Sequence, residues 1–146
     1  MAANKGAERY ATFSLLMPVG VNISSGQPLI LGENWVSSGV AAEAQNTSLP
    51  VYDNNTAYLT VDFEGVYQLT VEAFELPSPS AGAAMRCGDP VFASGGTYDS
   101  VSGIYYGFTL SADPAGVLFG QILQPLAAGT TAIVPVLLAN AVHKAR

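Results

Sequence analysis

The chain has 146 residues, a length that fits one domain with a sizeable core and no need of metals or disulfides. Only 11% of the residues are Asp, Glu, Lys or Arg, against about 25% in an ordinary soluble domain, while hydrophobic residues stand at 49%. Between Tyr10 and Val142 Arg86 is the single base among ten acids, which argues against nucleic-acid binding because phosphate contacts need Lys and Arg.

The missing charge is replaced by Gly, Ser, Thr, Asn, Gln and Pro. Isolated monomers keep a charged surface for solubility, whereas surfaces poor in Lys and Glu belong to protein–protein contact regions. The composition therefore points to an obligate oligomer, with a simply polar but uncharged β protein as the alternative.

In chain order, the first segment holds Lys5 and Arg9 with Glu8 between them, and the apolar stretch from Phe13 is cut by Pro18. That pattern does not read as a secretory signal. Residues 1–9 read as an N-terminal arm, 10–140 as one β domain and 141–146 as a C-terminal tail. Gly and Pro punctuate short runs of Val, Ile, Leu, Tyr, Phe and Thr, the spacing of an all-β sandwich or barrel. Strands are expected at Tyr10–Met17, Pro28–Leu31 and Trp35–Ala41. The Ala-rich run inside Val36–Gln45 is denied a helix by Ser37-Ser38-Gly39.

The clearest strand signal is Tyr58–Val71. Leu59, Val61, Phe63, Tyr67, Leu69 and Val71 are apolar at odd positions, with Thr60, Asp62, Glu64, Gln68 and Thr70 between them. Because the phase continues across Gly65, the segment reads as one long strand kinked or bulged there, with a turn at Glu64-Gly65 as the alternative. Further strands are expected at Pro90–Ala93, Ile104–Leu110, Val117–Leu123 and Thr130–Leu137. Pro135 marks the last of these as an edge or a bulge, since proline donates nothing to a ladder. Ser25-Gly26-Gln27-Pro28 also echoes Cys87-Gly88-Asp89-Pro90, which suggests two related strand–loop–strand units or simply recurrent turn chemistry.

Residues suited to catalysis are sparse. The single histidine, His143, lies four residues from the C-terminus, and Cys87 is the only cysteine, so a structural zinc site has no ligand set. Asp62, Glu64, Glu72 and Glu75 cluster in sequence, but Asp62 and Glu64 fall on the polar side of the expected strand. Asp53-Asn54-Asn55 reads as an Asx-rich turn before it reads as a calcium loop. Gly95-Gly96-Thr97 lacks the Lys of a phosphate-binding loop. The apolar run Thr131–Val142 is too short to span a membrane and contains Pro135. No catalytic residue, metal or cofactor is expected. The aromatics Trp35, Tyr98, Tyr105, Tyr106 and Phe108 serve as core, as subunit contacts or as a carbohydrate-binding surface.

Several runs together carry a resemblance. Ser25-Gly26-Gln27-Pro28-Leu29-Ile30-Leu31-Gly32, Ser38-Gly39-Val40-Ala41 and Val61-Asp62-Phe63-Glu64-Gly65-Val66-Tyr67 resemble a family of small phage head proteins, the capsid cement or decoration proteins. The second half agrees through Met85-Arg86-Cys87-Gly88-Asp89-Pro90-Val91-Phe92, Ile104-Tyr105-Tyr106-Gly107-Phe108 and Thr131-Ala132-Ile133-Val134-Pro135-Val136-Leu137-Leu138. The chain departs from the pattern in an insert at Gln45–Thr56 and in the linker Ser78-Pro79-Ser80-Ala81-Gly82.

The resemblance implies a compact β-barrel or jelly-roll-like sandwich with an extended N-terminal arm. It implies a structural protein, not an enzyme, that binds the outer surface of the virion capsid and bridges major capsid subunits after assembly in the host cytoplasm. Its partners would be the major capsid protein and itself, as a homotrimer first and a dimer second. On that reading Lys5, Arg9 and Tyr10 contact the capsid, and Trp35, Tyr105 and Phe108 form oligomer contacts. A tail or baseplate β domain and a carbohydrate-binding β module are the alternatives.

Overall fold

The computed structural model describes residues 12–18, 21–32, 37–43, 56–73 and 84–139. They form β1 (Thr12–Pro18), β2 (Pro28–Leu31), β3 (Ser37–Ala41), β4 (Thr56–Asp62), β5 (Val66–Ala73), β6 (Pro90–Asp99), β7 (Ile104–Ser111), β8 (Val117–Ile122) and β9 (Thr130–Leu138). Among the described residues there is no helix, and the fold is all-β.

The strands run in the order β1-β4-β3-β2-β7-β5-β9-β8-β6, and β6 also pairs with β7. That extra pairing closes β7, β5, β9, β8 and β6 into a five-stranded barrel, with β1, β4, β3 and β2 carried as a flanking sheet. Strand β7 belongs to both. One edge pairs with β6 almost throughout, while the other pairs with β2 at Ile104–Tyr106 and with β5 at Leu110–Ser111. Gly107 sits between the two pairings at a φ of 72°, a left-handed conformation that side chains other than glycine's rarely allow.

Two clusters of apolar side chains follow from this division. Leu69, Val71, Val91, Phe119, Val134 and Val136 fill the barrel, each at most 5% exposed. Leu29, Ala41, Leu59, Val61 and Ile104 form a second cluster on the flanking sheet. Burying a side chain of this size contributes about 1.5–3 kcal/mol.

The segment Tyr58–Val71 is two strands, not one long one. β4 pairs with β1 and β3, whereas β5 pairs with β9 and β7. Gly65, at a φ of 115°, turns the corner between them. The Tyr67 hydroxyl fastens that corner, lying 3.1 Å from both the Asp62 carboxylate and the Glu64 carbonyl. The alternation keeps its phase across the corner but serves two cores: Leu59, Val61 and Phe63 enter one, Leu69, Val71 and Ala73 the other.

Strand β9 lies between β5 and β8, so Pro135 does not mark an edge strand, and its pairing with β5 is free of a bulge. Pro135 stands just beyond the end of the β8 ladder. Leu123, one residue past β8, donates its N–H to the Pro135 carbonyl over 2.9 Å, and the ladder stops where proline has no N–H to return.

The two halves of the chain repeat one arrangement. The order β1-β4-β3-β2 matches β5-β9-β8-β6, with β7 intervening along the chain between β6 and β8. In the first half the Gly26 N–H donates to the Ala41 carbonyl (2.8 Å) and Ala41 N–H to the Gln27 carbonyl (2.9 Å). In the second the Gly88 N–H donates to Ile122 (2.7 Å) and Ile122 N–H to Asp89 (3.0 Å). The turns match as well, with Ser24 N–H bonded to the Gln27 side chain (3.1 Å) and Arg86 N–H to the Asp89 carboxylate (2.7 Å). Gly39 and Gly120 are equivalent: a Cβ on Gly39 would lie 2.7 Å from Val61 and 3.1 Å from the Asp62 carbonyl, and one on Gly120 would lie 3.1 Å from Val136 and 2.2 Å from the Leu137 carbonyl. The sequence echo at Ser25 and Cys87 is thus the turn into the second strand of a repeated four-stranded unit.

Candidate functional site

Most of the described carboxylates whose contacts are resolved serve the backbone. Asp89 accepts the Arg86 N–H, Asp113 the Ala115 N–H at 2.9 Å, and Asp99 both the N–H (2.9 Å) and the hydroxyl of Ser102. The Ser102 hydroxyl, followed by its N–H, holds the Asp99 carboxyl below the ordinary carboxylate range. Among the described residues no three His, Cys, Asp or Glu side chains converge as metal ligands.

Of the residues singled out for contacts, the structure brings Tyr105 and Phe108 together. Their rings stack with centroids 4.9 Å apart, and Phe108 meets Phe119 at 5.8 Å, so an aromatic row runs from the surface into the barrel. Phe108 is 8% exposed and packs in the barrel cluster. Tyr105 is half-buried, donates its hydroxyl to the Gly95 carbonyl over 2.8 Å, and is raised above its ordinary pKa by that burial. Lys5, Arg9, Tyr10 and Trp35 lie outside the described residues.

Two open clefts accompany the β7 branch. One, of about 280 Å³, lies where β2 and β5 part along β7 and is lined by Pro28, Gln68, Thr70, Glu72 and Thr109. The other, of about 260 Å³, is more apolar, with Tyr98 and Tyr105 beside Ile30 and Val117. Tyr98 and Tyr105 are directly paired across β6 and β7.

Among the described residues, four exposed large hydrophobic side chains gather on the outward side of β5, β9 and β8. Leu137 pairs with Val66, Ile133 with Thr70 and Pro135 with Gln68, while Gln121 and Leu123 flank them on the β8 side. Ile133 is 68% exposed, Val66 51%, Leu137 37% and Leu123 36%. No charged residue stands among these eight. Sequence reasoning passed over this face, although β9 signalled it: Ile133, Pro135 and Leu137 alternate with Val134, Val136 and Leu138, so both sides of one strand are apolar.

No protein family, curated protein or solved structure matches this chain.

Proposed function

We propose that the chain is a structural virion protein, a cement or decoration protein that binds the outside of a phage head. It contacts the major capsid protein and itself, as a homotrimer with a dimer as second choice, and stabilises the joints between capsid subunits. The observation that carries the subunit-packing part is the uncharged apolar face of β5, β9 and β8 on a chain with 11% charged residues. The location on a phage head rests on the resemblance of the runs beginning at Ser25, Ser38, Val61 and Met85. A clamp that binds only the assembled shell stabilises it by mass action, and many copies multiply a weak contact.

The test is sedimentation of the purified chain with undecorated heads. Co-sedimentation that saturates at a fixed copy number is the expected result, and a chain left in the supernatant overturns the reading. Removal of residues 1–9, with Lys5 and Arg9, is expected to weaken this binding. Co-purification with tails instead of heads would reassign the chain to a tail or baseplate. The Tyr98–Tyr105 cleft favours a second reading as a carbohydrate-binding module, because sugar rings pack on exposed aromatic faces. Glycan-array binding lost in Tyr98→Ala would support that alternative.

A further inference from the structure

We infer that the outward face of β5, β9 and β8 is the surface on which a second copy of this chain packs. The inference rests on the subunit-packing reading above and names its self-contact.

Two observations select a copy of the chain as the occupant. The first is charge. The described residues carry Glu43, Asp62, Glu64, Glu72, Asp89, Asp99 and Asp113 against Arg86 alone, so two copies repel over most of their surfaces. The face built from Val66, Gln68, Thr70, Ile133, Pro135 and Leu137 has no carboxylate, and Glu64 and Glu72 lie beyond its two ends. It is where like-charged molecules approach without setting acid against acid.

The second observation is the repeat. Ile30 and Val40 occupy on β2 and β3 the outward positions that Phe92 and Gln121 occupy on β6 and β8. Ile30 is 1% and Val40 2% exposed, because the second half of the chain lies against them and takes them into the barrel cluster. Gln121 is exposed, and Phe92 is only partly covered. In the first half, this side of the unit is covered by another unit of the same design. In the second half it is open, and a unit of the same design from another molecule supplies the missing cover.

The size of the face sets the strength. The four rises of about 3.3 Å from Ile133 to Leu137 and three strands each about 4.8 Å wide give it roughly 200 Å². That is about a quarter of the roughly 800 Å² per partner in a standard stable interface. Association through it alone is weak and rises with concentration. It also rises with salt, which screens the acidic repulsion and strengthens apolar burial.

Sedimentation equilibrium of the full chain tests this without any capsid present. The wild type is expected to self-associate increasingly with concentration and salt, and Ile133→Glu to weaken that association at least about tenfold. Circular dichroism of Ile133→Glu should be unchanged, since the side chain is 68% exposed. Val101→Glu, at a site 78% exposed in the turn between β6 and β7, should associate like wild type. A wild type that stays monomeric throughout, or an Ile133→Glu variant that associates as wild type does, overturns the inference. If Ile133→Glu loses head binding while self-association persists, the face belongs to the shell and the inference fails although the capsid reading stands. If self-association depends on Ile133 but no head binds the chain, the inference stands and the capsid reading fails.

Discussion

Ser38 on β3 donates its hydroxyl proton to the carbonyl of Phe119 on β8, and the two residues hold equivalent positions in the repeated halves, each one residue before a close-packed glycine. Phe119 is the unmatched residue of a bulge where the β6–β8 register slips, and its carbonyl also accepts the Ala139 N–H at 3.0 Å. Ser38 returns a backbone bond, donating its N–H to the Ala139 carbonyl at 3.1 Å. The flanking sheet and the barrel are stitched together at this point by polar groups, with Ser38 fully buried.

Ser38→Ala removes one of two donors to the Phe119 carbonyl and leaves the acceptor satisfied by Ala139. The expected cost is therefore that of a single hydrogen bond, about 1 kcal/mol, seen as a fall of about 3 °C in the thermal midpoint for a chain of this size. Differential scanning calorimetry checks it. A loss several times larger would mean that the Ala139 bond does not hold alone.

The equivalent glycines should respond unequally to alanine. A Cβ on Gly120 would lie 2.2 Å from the Leu137 carbonyl oxygen, which is backbone in the β8–β9 ladder and cannot yield without parting the strands. A Cβ on Gly39 first meets a Val61 methyl at 2.7 Å, a side chain with some freedom to move. Gly120→Ala is expected to cost about 3 kcal/mol or more, and Gly39→Ala about 1–2 kcal/mol. Urea denaturation of the two variants decides the order.

The strands were largely legible because alternation fixes which side chains share a face. Pro28–Leu31 matches β2 at both ends. The course of the chain was less legible, since alternation says nothing about which neighbour a strand pairs with. Leu59 and Leu69 sit in one unbroken pattern yet enter different cores across Gly65. The outer part of β6, Ser94–Asp99, went unread because Gly95, Gly96 and Thr97 carry no apolar signal, and β7 holds them in place. At the candidate face the residues were visible, but exposure was not: an apolar strand flank reads alike whether the chain covers it or leaves it open, as it does at Ile133.

The β6–β7 turn carries a pH dependence of defined sign. Asp99 has its folded-state pKa lowered, chiefly by the Ser102 hydroxyl and then by backbone N–H groups. A lowered pKa means the carboxylate stabilises the turn at and above the ordinary carboxylate range, and that contribution is lost as pH falls through the folded-state value. Ser102→Ala should move the Asp99 carboxyl back toward its ordinary pKa. Carboxyl NMR titration of both proteins measures this, and an unmoved Asp99 would show that the backbone donors suffice.

The aromatic row offers the sharpest contrast between core and surface. Phe108 is 8% exposed and packs between Tyr105 and Phe119, so Phe108→Ala opens a cavity inside the barrel and is expected to cost about 3–5 kcal/mol. Tyr98 is 38% exposed at the far end of the same ribbon, and Tyr98→Ala should change stability by no more than about 0.5 kcal/mol. Chemical denaturation of the two variants side by side tests the assignment. Near-equal losses would mean that Tyr98 packs more firmly than its exposure indicates. A small loss at Phe108 would mean that the barrel collapses around the deleted ring, with Tyr105 following it inward.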